Sequence, residues 1–493
     1  MAKKFIGRIK EQALLTDFIE RPGSRIAVIY GRRRIGKSEL IHTVCLNRRT
    51  FYFEGLENQP KKNQISNFML QLPRQNATEQ NGVKSKKSTS WPTSWKEAFL
   101  ELLPYLSYLK ESSVIVLDEF QWMANYRSDA VSDLKMVWDQ YLSKTGCKLI
   151  LCGSLASYML KKVIRSTALY GRTELLISLD ELKLSEAKDF FENRSTNELF
   201  EAFLLFGGVP LYLELISQEP SVVLGIEKLA FSPAGYFVDE FNRIFESHFV
   251  KNRTYKQIVQ TLMQYPYGIF RHDLAKKLNQ SNSGTFSDLL YDLESTGFIK
   301  GWRPLDKKSN SKILKYMLSD KYSLFYHVFI SPNIAKILEG NKNIYSRLRN
   351  SPSFNSWIGR SFELTCTKHS LEISKILGFS GIDYSSGPYF RAKTKAQKGV
   401  QFDLVFDRAD HVITVCEMKW TENPPGVEVI ESVQKKIAVS PDIFANKTVQ
   451  KILITRMEPS KELIRSGYFY RIIKASELLI SLAVLSLLRT FRF

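Results

Sequence analysis

Two groups of residues in this 493-residue chain have the types and spacing needed to act on phosphate. The first begins with Gly31-Arg-Arg-Arg-Ile-Gly36-Lys37-Ser38. Gly31 and Gly36 let the backbone curl so that successive N–H groups face a polyphosphate, Lys37 reaches the outer phosphates, and the Ser38 hydroxyl ligates Mg²⁺. The run Val114-Ile-Val-Leu117 then ends on Asp118 and Glu119. Asp118 suits Mg²⁺ held through water, and Glu119 suits a base that draws a proton from attacking water. The second group is Asp403 in QFDLVF followed by Glu417 and Lys419 in VCEMKW, with Glu363 of GRSFELT upstream. Hydrolysing a phosphodiester with a metal needs carboxylates that gather the ion and a cation that steadies charge. Side chains alternate along a strand, so Glu417 and Lys419 share a face that Asp403 can meet from a neighbouring strand. Gln434 and Lys435 on the following helix are expected at the rim.

Positioning these residues calls for particular elements. SRIAVIY before Gly31 reads as a buried strand, and helical spacing resumes after Lys37. SSVIVLDE (112–119), CKLILCGS (147–154) and ELLISL (174–179) continue the alternation of strand and helix, which predicts a parallel α/β sheet. Residues 57–95 read as a helix plus a basic loop. Helices then run without strands to about residue 298, forming a helical lid. Between 254 and 318, three helical segments and a hairpin give winged-helix order, with Ser281, Asn282, Ser283 and Thr285 at a helix start and Lys307, Lys308 and Lys312 on the wing. From about 352, one long helix, strands, a helix and a strand form a second α/β unit. The expected ranges are 1–178, 179–245, 246–335, 350–475 and an apolar helix over 476–493.

Composition narrows the partners. The chain has 70 Lys and Arg against 50 Asp and Glu, a formal charge of +20 that favours an extended polyanion such as DNA over a small neutral ligand. A solvated surface or an anionic membrane face is the alternative use of that charge. The five cysteines lack CxxC spacing, which excludes a zinc ribbon or disulfide framework and fits a reducing, cytoplasmic compartment. No signal-peptide core follows the amino terminus, and LLISLAVLSLL is too short to span a bilayer, so no membrane partner is expected.

The loop GRRRIGKS and the strand VIVLDE resemble those of AAA+ ATPases, in particular the archaeal-type ATPase family that also occurs in bacteria, over residues 1 to about 235. The resemblance implies ATP and Mg²⁺ as cofactors. It places Ile6 and Gly7 of FIGRIKE near adenine and makes Ser154 of CGSLAS the polar sensor. It also makes Arg172 of LYGRTELLISL an arginine finger, which calls for a homo-oligomer, and has Pro210 of GGVP pack on the nucleotide. Residues 352–460 resemble the PD-(D/E)xK nuclease superfamily in the order helix with Glu, strand with Asp, strand with Glu-x-Lys, helix. Phe402 stands where that superfamily has proline. They also resemble the restriction-endonuclease-like region that accompanies archaeal-type ATPases. The fold class expected is α/β multidomain: an AAA+ P-loop sheet, helical lid, winged helix and restriction-endonuclease-like domain. Two functions stay open: an ATPase that binds DNA and cleaves it with Mg²⁺, or an ATP-gated DNA- or protein-binding regulator whose nuclease-like domain is inactive.

Overall fold

The computed structural model describes residues 5–74, 91–106, 113–125, 128–155, 158–164, 169, 171–249, 253–303, 305, 314–391 and 399–480. The wing lysines Lys307, Lys308 and Lys312, and the apolar tail from 481 on, lie outside the described residues. The chain divides into two compact units, Met1–Glu181 and Leu182–Phe493.

The first unit is built on β1 (Arg25–Tyr30), β2 (Thr50–Glu54), β3 (Val114–Asp118), β4 (Lys148–Gly153) and β5 (Thr173–Ser178). All pairings are parallel and the order is β2-β3-β4-β1-β5. Parallel sheets are covered on both faces, which is why β3 and β4 are buried along their whole length and carry charge only at their ends, Asp118 and Lys148. Period-two alternation divides them between two cores. Ile26, Val28, Ile115, Leu117, Leu149 and Leu151 pack with Trp95, Phe99 and Val137 on one side. Ala27, Ile29, Val114, Val116, Ile150 and Cys152 pack with Leu15, Leu40 and Ile41 on the other. The sequence pattern did not single out β2, a five-residue strand whose Tyr52 reaches Asp118.

In the second unit, helices Thr196–Phe206, Pro210–Ser217, Val222–Ala230 and Tyr236–His248 follow one another. The first is buried at every position from Leu199 to Phe206, so it runs through a core rather than along a surface. It ends at Gly207, whose φ of 70° lies in the left-handed region. At Gly208 a Cβ would collide with the backbone of Leu182, whose N–H donates to the Gly208 carbonyl at 2.8 Å. The GGVP glycines therefore serve a helix stop and a close backbone approach.

Next come helix Arg253–Met263, β6 (Ile269–Phe270), helices Arg271–Lys277 and Gly284–Ser295, β7 (Ile299–Trp302) and β8 (Lys315–Leu318). These strands form an antiparallel sheet in the order β6-β8-β7. Two-residue β6 breaks the expected strand-free stretch, being too short to show any periodicity.

The last sheet contains β9 (Tyr384–Arg391), β10 (Val400–Arg408), β11 (Val412–Lys419), β12 (Thr448–Thr455) and β13 (Arg471–Lys474), in the order β13-β12-β11-β10-β9. β9, β10 and β11 are antiparallel, while β11, β12 and β13 run parallel. The β9–β10 register shifts between Phe402 and Val405, the stretch that contains Asp403. The single long helix expected ahead of this sheet is two, Pro352–Lys368 and Ser370–Leu377. The break is at buried His369, whose Nε2 accepts the Leu184 N–H at 3.2 Å while Nδ1 lies 2.8 Å from the Thr365 carbonyl.

All five cysteines are free and buried. Among the described residues no helix is long and apolar enough to cross a membrane. Replacing Gly208 by Ala is expected to lower the stability of the second unit by about 1–3 kcal/mol through overpacking. Gly359→Ala, where an added methyl meets nothing within 4 Å, is the control and should unfold at the wild-type denaturant midpoint or slightly above it.

Candidate functional site

The phosphate loop leaves β1 at Gly31, where any Cβ would run into the Leu179 carbonyl. It re-enters helix Lys37–Cys45 through Gly36, whose φ of 87° favours glycine. Arg34 also adopts a left-handed conformation. Lys37 is buried, and its Nζ donates to the Arg32 carbonyl at 3.1 Å, which places the ammonium inside the curl of the loop. Ser38 Oγ donates to Asp118 Oδ2 at 2.6 Å. The same oxygen accepts from the Tyr52 hydroxyl, and Oδ1 accepts the Glu119 N–H at 2.8 Å. Burial pushes the Asp118 carboxyl up, but hydrogen bonds from Ser38, Tyr52, Cys152 and the Glu119 amide outweigh it and leave the pKa below the usual range. Asp118 is thus held as a carboxylate next to a hydroxyl, a pair of hard oxygen donors that fits Mg²⁺.

Glu119 sits between β3 and helix Phe120–Met123 with a φ of 49°, an uncommon conformation for a residue with a side chain. Its Oε2 accepts from Ser154 Oγ at 2.7 Å and from the Gln121 side-chain amide. The structure therefore brings together Lys37, Ser38 and Asp118, and joins Glu119 to Ser154. Ile6 is half-buried just ahead of helix Ile9–Glu20. Beside it, buried Arg8 donates to the Ile35 carbonyl at 3.2 Å and to the Asp180 carbonyl, tying FIGR to the loop. Arg32 pairs with Glu181 at 3.4 Å and Arg33 with Glu57 at 2.7 Å. Arg172 forms a forked pair with Asp139, Nε at 2.7 Å and a terminal nitrogen at 2.9 Å. Pro210 is the first residue of its helix in the second unit.

Residues 5–216 match the family model described as an ATPase domain predominantly from Archaea. This stretch is a P-loop ATPase domain. The chain is accordingly an ATP hydrolase. Over 423 residues it is 26% identical to an uncharacterized protein of Methanocaldococcus jannaschii, MJECL04, covering 85% of this chain and 88% of that protein. Among solved structures, the Walker-type ATPase of Pyrococcus abyssi superposes with a TM-score of 0.49 at 19% identity, over 65% of this chain and 95% of that one. The Aeropyrum pernix ORC2 protein superposes with a TM-score of 0.39 at 16% identity, over 71% and 98%.

The second unit of the ATPase gathers the other carboxylates. Glu417 on β11 is 2% exposed, and its two oxygens accept from Lys419 at 2.9 Å and Lys436 at 2.6 Å. Asp403 on β10 is buried, and its Oδ2 accepts the Met418 N–H at 3.0 Å. The rim expectation shifts by one position along the helix Glu428–Ala438. Consecutive helical residues point about 100° apart, so Lys436 reaches Glu417 while Lys435, 78% exposed, pairs with Glu431. Gln434 lines a shallow cavity with Ile437 and Tyr468. Burial, reinforced by the Asp403 charge against Arg360, pushes Glu363 up to about 8. Burial and the Glu417 charge, opposed by Lys436, push Asp403 up to about 6. A cleft of about 620 Å³ opens beside Lys419, lined also by Trp420, Asn423 and Arg456. Among the described residues no three acids, histidines or cysteines are grouped to hold a metal ion.

Both raised carboxyls keep protons in the native state that the unfolded chain, with Glu near 4.5, has already released. Their contribution is complete below the unfolded pKa and is lost as pH rises through about 6 for Asp403 and about 8 for Glu363. The Glu363→Gln variant should therefore gain melting temperature relative to wild type between about pH 5 and about pH 9. An offset that stays constant with pH would contradict a buried proton on Glu363.

Proposed function

We propose that the chain is an AAA+ ATPase that works on DNA, with ATP hydrolysis in the first unit and a nuclease-like site in the second. The contact between Ser38 and Asp118 carries the first half, because it joins the end of the phosphate loop to the end of β3. Lys37 binds the outer phosphates, Ser38 and Asp118 hold Mg²⁺, and Glu119 takes the proton from the attacking water. A metal held there would supply neutralisation of the charge that builds on the phosphates. Ser154 senses the terminal phosphate, Ile6 lies near adenine, Pro210 belongs to the lid over 179–245, and Arg172 completes the site of a neighbouring copy.

The helix-strand-helix-helix-hairpin order supports a winged helix, and the exposed Ser281, Asn282 and Ser283 ahead of helix Gly284–Ser295 suit phosphate contact. In the nuclease-like domain, Asp403, Glu417 and Glu363 are the residues that would hold Mg²⁺, and Lys419 the one that would steady the scissile phosphate. Support comes from the antiparallel β9-β10-β11 arrangement followed by a helix and parallel β12, which puts Asp403 next to the Glu417 strand. One observation favours the second reading, an ATP-gated binder with an inactive nuclease-like domain: both Glu417 oxygens are engaged by lysines.

For the ATPase half, Lys37→Ala is expected to abolish turnover. Glu119→Gln should keep nucleotide binding while the rate falls by about 10²–10⁴-fold. ATP turnover that survives Lys37→Ala would reject the assignment. For the second unit, plasmid DNA is incubated with the protein and Mg²⁺ or Mn²⁺, with and without ATP. Cleavage that disappears in the Asp403→Ala, Glu417→Ala double variant supports the nuclease. Salt-sensitive DNA retention without cutting selects the binder instead.

A further inference from the structure

Gln121 is a residue that no sequence motif singled out, and its surroundings are unusually constrained. It is 2% exposed, and Ser154 beside it is 1% exposed. Its side-chain amide donates to Glu119 Oε2 and, at 3.1 Å, to Ser154 Oγ. Ser154 Oγ donates in turn to Glu119 Oε2 at 2.7 Å, which closes a triangle. The hydrogens balance: the amide uses both of its N–H groups and the serine uses its only O–H. Among the described residues, the Gln121 carbonyl oxygen has no hydrogen-bond partner although it is buried. A Cβ on Gly153 would come within 2.6 Å of that oxygen, so the amide is packed against bare backbone where β4 ends.

This geometry has two consequences. Because Oε2 of Glu119 carries both bonds, the carboxylate is fixed through one oxygen and its Oε1 is left without a donor among the described residues. Because Ser154 Oγ accepts from Gln121, its own hydrogen is aimed at Glu119 rather than elsewhere. The left-handed backbone of Glu119 adds a third constraint on the same side chain.

We propose that Gln121 is a positioning residue for ATP hydrolysis, holding Glu119 by one oxygen so that the other accepts the water proton, and setting the direction of the Ser154 hydroxyl. The inference rests on Glu119 being the base. Removing the amide while keeping its volume, in Gln121→Met, should lower kcat by about 10²-fold, the scale of a misplaced reacting group, and leave KM for ATP within about 2-fold. Gln121→Asn, which keeps the donors on a shorter arm, should recover part of kcat. Ser154→Ala added to Gln121→Met should cost far less than the product of the two single effects, since both act through Glu119.

Glu119→Gln is assayed alongside. If it hydrolyses ATP normally, Glu119 is not the base and the reading beneath the proposal fails. If it is inactive while Gln121→Met keeps kcat within about 2-fold of wild type, the positioning role is overturned. Melting temperature and nucleotide affinity are measured on the same preparations. A Gln121→Met protein that loses kcat only together with nucleotide affinity and melting temperature, and is not helped by Gln121→Asn, has a structural role and also overturns the proposal.

Discussion

The hydrogen bond between Ser38 and Asp118 joins two residues that neither sequence nor sheet places side by side. β4 lies between the strands that lead to them, so the contact exists only if β1, β3 and β4 end at a common level. The strand register provides this: Ile29 pairs with Cys152 and Tyr30 with Gly153, while Leu117 pairs with Leu151. A one-residue slip would turn every buried side chain of a strand to the opposite core and also separate the hydroxyl from the carboxylate. Core packing and nucleotide chemistry are thus set by the same register.

The two carboxylate sites handle burial differently. Asp118 loses water but receives donors on both oxygens, so its charge is retained. Asp403 and Glu363 are buried near like charges, so they favour the protonated form. Glu417, whose charge acts on both, is matched by two ammonium groups. Residues of the same chemical kind thereby meet opposite electrostatic demands, and these follow from the number and sign of their neighbours rather than from depth alone.

What the sequence made legible was local. The loop from Gly31 to Ser38 and the run ending at Asp118-Glu119 carry their own strand and helix context, and the period of a strand was enough to pair Glu417 with Lys419. What escaped depends on tertiary placement. Tyr52 lies on a short strand whose position beside β3 is fixed only by the sheet. Arg8 reaches the loop from a separate element, and Gln121 acquires its partners only once β4 ends next to β3. Choosing Lys436 over Lys435 requires the rotation of a helix about its axis, and a sequence pattern sets this less sharply than one residue step. The break at His369 was hidden because helical spacing continues across it.

The irregular register of β10 between Phe402 and Val405 bears on how Asp403 is aimed. A proline before the acid would end one hydrogen bond of the strand ladder by removing its donor. Here Phe402 still faces Tyr389, and the ladder to β9 departs from regularity just after it, around Asp403. An irregularity of that kind re-aims side chains through the backbone. The direction of the acid is then set by the backbone at the irregularity rather than by the side chain of Phe402.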